Sequence, residues 1–230
     1  MQSRPMRTTI EGAALVGFVC VITLATARVL IRRAPSPSST AEVLADWYGD
    51  SGNQRSMVAA LNLSVVAAIA FLWFIAVVRR RVGERENRFF GTVFLASAAL
   101  LCVAWVVASC LYTAPALSGY LYGVLPERSD IAMWQAAGIA ADSVVGARFE
   151  AVLIMSTTTV ARLSGAFDRP LVVVGYVLAA GMMVAPLPND VVVWIFPAWV
   201  AVVSAMLLVR RHRLAGVGAA SASTGGPALP

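Results

Sequence analysis

Residues 131–159 read IAMWQAAGIAADSVVGARFEAVLIMSTTT, an apolar stretch of spanning length that carries Asp142, Arg148 and Glu150. The chain's other long apolar stretches hold almost no charge. Ionisable groups are costly in hydrocarbon and are kept where they have a partner or a task. Counting this stretch as a membrane span decides the fold, because its neighbours on both sides then fall into alternating crossings.

As one helix, 131–159 would be roughly 43 Å long, more than the roughly 30 Å of a bilayer core. Two registers follow. In the deep one Asp142 and Arg148 sit near the bilayer centre. In the shallow one residues 129–141 form an outer interfacial helix, Asp142 lies at the headgroups, and Arg148 snorkels from a turn or two below. At about 100° per residue, Gln135, Asp142, Gly146, Glu150 and Thr157 fall within roughly one quarter of the circumference, with Arg148 on another side. Arg148 and Glu150 are two residues apart and do not form an intrahelical pair. Asp142, Arg148, Glu150 and Gln135 are therefore the candidate intramembrane polar site, with Arg28 at the end of the first span as a counter-ion. Asn62, Ser64 and lipid phosphate are further partners.

Working outward, six spans are drawn at about 10–30, 57–78, 89–114, 131–161, 170–185 and 191–209. Pro197 is expected to kink the last, and a tight turn is expected over 186–190. The composition agrees: 230 residues, 59% hydrophobic and 13% charged, with a mean hydropathy of +0.77. Globular domains carry about 25% charged residues. The expectation is an all-α polytopic bundle, with no soluble catalytic domain between the spans.

All eighteen basic side chains are arginine, which a GC-rich coding bias explains. With a cytoplasmic N-terminus (1–9), twelve arginines lie inside, at 4, 7, 79–81, 85, 88, 162, 169, 210, 211 and 213. Five lie outside, at 28, 32, 33, 55 and 128. The positive-inside rule selects this orientation, with both ends cytoplasmic. The net charge of +6 sits in short flanks rather than on one basic domain, so it reads as topology and not as a nucleic-acid surface. The cytoplasmic arginines suit anionic lipid headgroups. Arg4, Arg7 and the following apolar run also resemble a cleavable signal peptide, which would leave five mature spans.

The first outer loop is Pro/Ser-rich at 34–39. A short helix is then expected, capped by Ser39 or Thr40, with Trp47 and Tyr48 as interfacial anchors. Residues 210–230 form a Gly/Ala/Ser-rich tail without periodicity, expected to be disordered. Cys20, Cys102 and Cys110 lie in apolar stretches without a CxxC pair and read as small buried hydrophobes. The single histidine, His212, follows the last span, so haem, zinc-protease and Ser/His readings fail. No catalytic constellation, metal site or cofactor is expected.

Asp46-Trp47-Tyr48 in the outer loop, Phe71-Leu72-Trp73-Phe74 before Arg79, and the charged fourth span together resemble six-span integral membrane proteins common in GC-rich bacteria. The resemblance implies a multi-pass protein of the bacterial inner membrane and transfers no site or activity. For function the sequence leads to a non-enzymatic accessory or scaffold subunit or a small permease. A membrane-protein partner or a homo-oligomer is the implied company. The alternative is a membrane-embedded enzyme acting on a lipid or isoprenoid substrate.

Overall fold

The computed structural model describes residues 5–82, 88–163, 165, 167–184 and 193–206, the side chains within 5–14 and 77–91 excepted. The expected turn at 186–190, the tail at 210–230 and the side chains of the arginine block at 79–88 lie outside the described residues. Among the described residues there are helices and no strand: α1 (Pro5–Ile31), α2 (Ala41–Gly49), α3 (Ser51–Val82), α4 (Arg88–Tyr122), α5 (Arg128–Ile139), α6 (Ala147–Leu163) and α7 (Arg169–Val184). A further apolar helix, α8, covers Val193–Met206. A π-helical segment, Ala140–Gly146, joins α5 to α6.

Two of these helices are long and apolar enough to cross a membrane, α3 over Ser51–Ala76 and α4 over Thr92–Tyr122. Shorter apolar helices run over Leu15–Ile31, Arg169–Val184 and Val193–Met206. α1 packs along α3, α3 along α4, and α6 along α7, while α4 also lies against α5, the π segment and α6. Small residues permit the closest approaches. A Cβ on Gly17 of α1 would collide with Ser204 of α8, and one on Gly175 of α7 would collide with Thr158 of α6 and Trp199 of α8.

Two apolar clusters hold the bundle. The larger gathers Cys20 and Leu24 of α1, Phe71, Phe74 and Ile75 of α3, Leu101 and Trp105 of α4, Leu153 and Ile154 of α6, and Phe196 and Trp199 of α8. Phe71, Trp105 and Phe196 form an aromatic triangle with centroids 5.3, 5.5 and 5.8 Å apart. The smaller cluster joins Leu44 and Tyr48 of α2 to Met57, Ala116 and Ile131.

Several sequence expectations change in detail. α4 continues through Pro115 to Tyr122, past the end expected at Ala114. Tertiary packing accounts for this: Ala116 is fully buried, and a Cβ on Gly119 would come 2.6 Å from the Gln54 amide nitrogen. The regular helix expected over 131–161 is interrupted by the π segment, whose i→i+5 turns slip the helical phase. Thr40 rather than Ser39 caps α2, accepting from the Val43 N–H at 3.4 Å. Tyr48, expected at headgroup depth, is buried instead, packed with Leu44, Met57, Ala116 and Ile131. That burial pushes the phenol above its ordinary pKa. Cys110 is exposed, unlike Cys20 and Cys102.

Candidate functional site

The last turn of α1 places Arg28 against three other elements. Guanidinium at a helix C-terminus also complements the negative end of the helix dipole. One of its terminal nitrogens, Nη2, lies 3.1 Å from Asp142 Oδ1 in the π segment and 3.5 Å from Glu150 Oε1 on α6. The other, Nη1, donates to the backbone carbonyl of Val193 at the start of α8. From α4, Trp105 Nε1 donates to the same Glu150 Oε1 at 3.2 Å.

The cluster is closed. Arg28 is 7% exposed and Glu150 2%, and the Asp142 side chain reaches 12%. Moving such charges out of water costs several kcal/mol per ion, and only close pairing offsets it. One guanidinium therefore ties α1, α6, α8 and the π segment together, while Trp105 extends the network to α4.

Asp142, Glu150 and Arg28 meet in this network, and Gln135 and Arg148 hold backbone carbonyls. Gln135 Nε2 donates to the Pro35 carbonyl at 3.2 Å, holding the Pro/Ser loop against α5. Arg128 adds a bond to the Ser39 carbonyl. Arg148 donates to the Val144 and Ser143 carbonyls at 3.0 and 3.4 Å, so it bonds to backbone of the π segment on its own helix. Asn62 bonds to the Val58 carbonyl and Ser64 to that of Ala60, with Ser109 donating to Ser64. None of these bonds reaches the carboxylates.

Sequence reading missed Trp105 and the Val193 carbonyl. A tryptophan within an apolar run gives no sign that its N–H serves a carboxylate two helices on in the chain's order. A backbone carbonyl gives no sign at all.

Among the described residues no group of three or more His, Cys, Asp or Glu side chains converges on a point where a metal ion could sit. The gap between α3, α6 and α8, lined by Phe71, Phe74, Leu153, Thr157, Phe196 and Trp199, measures about 10 Å³. That is room for about one water.

No family model, curated protein or solved structure matches this chain.

Proposed function

We propose that the chain is a six-span protein of the bacterial inner membrane, with both ends cytoplasmic, that acts without catalysis as an accessory or scaffold subunit. The membrane setting draws support from the perimeter of the bundle. Leu15, Val19 and Ile22 on α1, Val66, Ile69 and Trp73 on α3, Leu100 and Val103 on α4, and Val173 and Val177 on α7 all face outward. A water-facing surface of that size would be an association hazard. Exposed polar side chains on the same faces bond to their own helix, Thr26 to the Ile22 carbonyl and Asn62 to the Val58 carbonyl. Lipid requires that, since it offers no partner.

α4, at 35 residues, is about 52 Å long against a core of roughly 30 Å. Its far end, with Tyr120 and Tyr122 exposed, suits the headgroup layer. The arginine asymmetry supplies the orientation.

The closure of the Arg28–Asp142–Glu150 cluster carries the choice of a scaffold over a permease. A conduction path needs its charged groups to meet solvent or substrate, and here the guanidinium is spent on joining helices. Among the described residues the sealed cluster also offers no substrate-sized space for an acid and base, which disfavours lipid chemistry.

Gentle extraction from native membranes followed by native mass spectrometry tests this reading. A fixed-stoichiometry complex, with a second membrane protein or with further copies of this chain, is the expected result. A monomer whose reconstituted vesicles show an ion or solute flux lost in Asp142→Asn would overturn it in favour of the permease.

A further inference from the structure

The buried cluster is unbalanced: two carboxylates face one guanidinium. Other charged and titratable groups stand around it, each with partners of its own. Just past the end of α1, Arg32 stacks over the Trp194 ring at 6.0 Å, and on α1 Cys20 is a thiol near Arg28. On α4, Tyr112 packs its ring on Gly138 within electrostatic reach of Asp142, and Cys102 bonds to the Ala68 carbonyl. On the α6 side Arg148 bonds to the Ser143 and Val144 carbonyls. α8 contributes a backbone carbonyl through Val193.

We propose that this cluster is a proton-binding site, holding one proton on Glu150 while Asp142 and Arg28 form a neutral ion pair. The assignment follows from geometry. Asp142 has the shorter contact to the guanidinium, 3.1 against 3.5 Å, and is the more exposed carboxylate. Glu150 is the deeper, and its Oε1 already accepts from Arg28 and Trp105. Its second oxygen, Oε2, takes the proton. The proton is taken from water before the helices close over Glu150 and stays there, so the sealed cluster carries no net charge instead of one negative charge. Two carboxylates that share a low-dielectric site rarely both ionise. A metal cation fits less well, because the guanidinium occupies the space between the carboxylates and no third acidic or thiol ligand converges there among the described residues.

The proposal rests on the burial of the cluster in the membrane reading above. If that reading fails, the protein fractionates as soluble; if the proton site fails, the protein stays in the membrane and the spectrum below changes. The test is infrared spectroscopy of the full chain in lipid vesicles, in H2O and D2O at neutral pH, with the protonated-carboxyl band as the readout. Wild type is expected to show one such band, shifting in D2O. Charge counting then predicts the variants. Glu150→Gln loses the band, and so does Asp142→Asn, because one carboxylate remains for one guanidinium. Arg28→Gln doubles it. Glu11→Gln, removing the carboxyl of the first span, leaves it unchanged.

If the cluster variants fail to fold, Glu11→Gln protein made with carboxyl-13C glutamate serves instead, and the band should move with the label. Absence of a protonated carboxyl in wild type overturns the proposal. So does a band that survives Glu150→Gln, or an absent band accompanied by sodium-dependent stabilisation, which would make this a metal-cation site.

Discussion

The bundle has two interiors that meet at one side chain. On one side of Trp105 lies the aromatic triangle with Phe71 and Phe196, and on the other lies the Arg28–Asp142–Glu150 cluster, reached through the indole N–H. The aromatic layer is held by contact area, which tolerates substitutions of similar volume. The charged layer is held by complementary groups, none of which tolerates the loss of its partner. Close packing and close pairing thus sit side by side in one core with opposite sensitivities to mutation.

The largest expected effect tests the charged layer directly. Arg28→Met leaves two buried carboxylates without a cation and is expected to cost about 3–5 kcal/mol, read by equilibrium unfolding in mixed micelles. Arg28→Met/Asp142→Asn/Glu150→Gln removes the whole cluster and should recover most of that loss. If the triple variant is as unstable as the single one, the cluster holds the fold by packing alone and the contrast between the layers disappears.

Next come two substitutions expected at about 1–3 kcal/mol. Gly175→Ala puts a Cβ against Thr158 and 2.8 Å from the Trp199 ring, where backbones are close and overpacking is penalised. Trp105→Phe keeps a ring for Phe71 and Phe196 but removes one of the donors to Glu150 Oε1. A double-mutant cycle of Trp105→Phe with Glu150→Gln should show coupling, whereas Trp105→Phe with Phe71→Leu should show little beyond packing. Phe71→Leu alone is expected to cost less than about 1.5 kcal/mol if the aromatic layer has room to repack.

How much of this was legible in the sequence divides along the same line. Apolar runs and flanking arginines report helices, because burial and topology depend on residue class summed over many positions. The helical character of α1, α3, α4, α6 and α7 could be read in that way, and Asp142 and Glu150 stood out because carboxylates are rare in such runs. Their partner on α1 could be named because Arg28 ends an apolar helix with a charge. The π segment could not be read, since it depends on backbone bonding over seven residues with no side-chain signature. The phase it shifts is what a regular wheel assumes, and it leaves Gln135 on the Pro35 loop and Arg148 on its own helix. Tyr48 misled for a related reason: aromatic residues near an outer loop suit both headgroups and a small core, and only the packing of α2 on Met57, Ala116 and Ile131 separates them.

The smallest expected effect concerns the surface that neither layer describes. Thr26 lies exposed on α1 with its hydroxyl on the Ile22 carbonyl at 2.8 Å. That carbonyl belongs to the interior of α1, where backbone bonding already serves it, so the hydroxyl is a second donor rather than a needed one. Thr26→Val has nearly the same shape, removes the hydroxyl and, against lipid, exchanges a self-satisfied polar group for an apolar one. Stability in vesicles should change by less than about 0.5 kcal/mol, and native mass spectra should be unaltered. A change in subunit stoichiometry without a change in stability would place Thr26 at a protein contact, giving the scaffold reading its first mapped face. A loss above about 1 kcal/mol in the monomer would mean that α1 needs this second bond to its own backbone, and the perimeter would then join the charged layer as a region held by specific pairing.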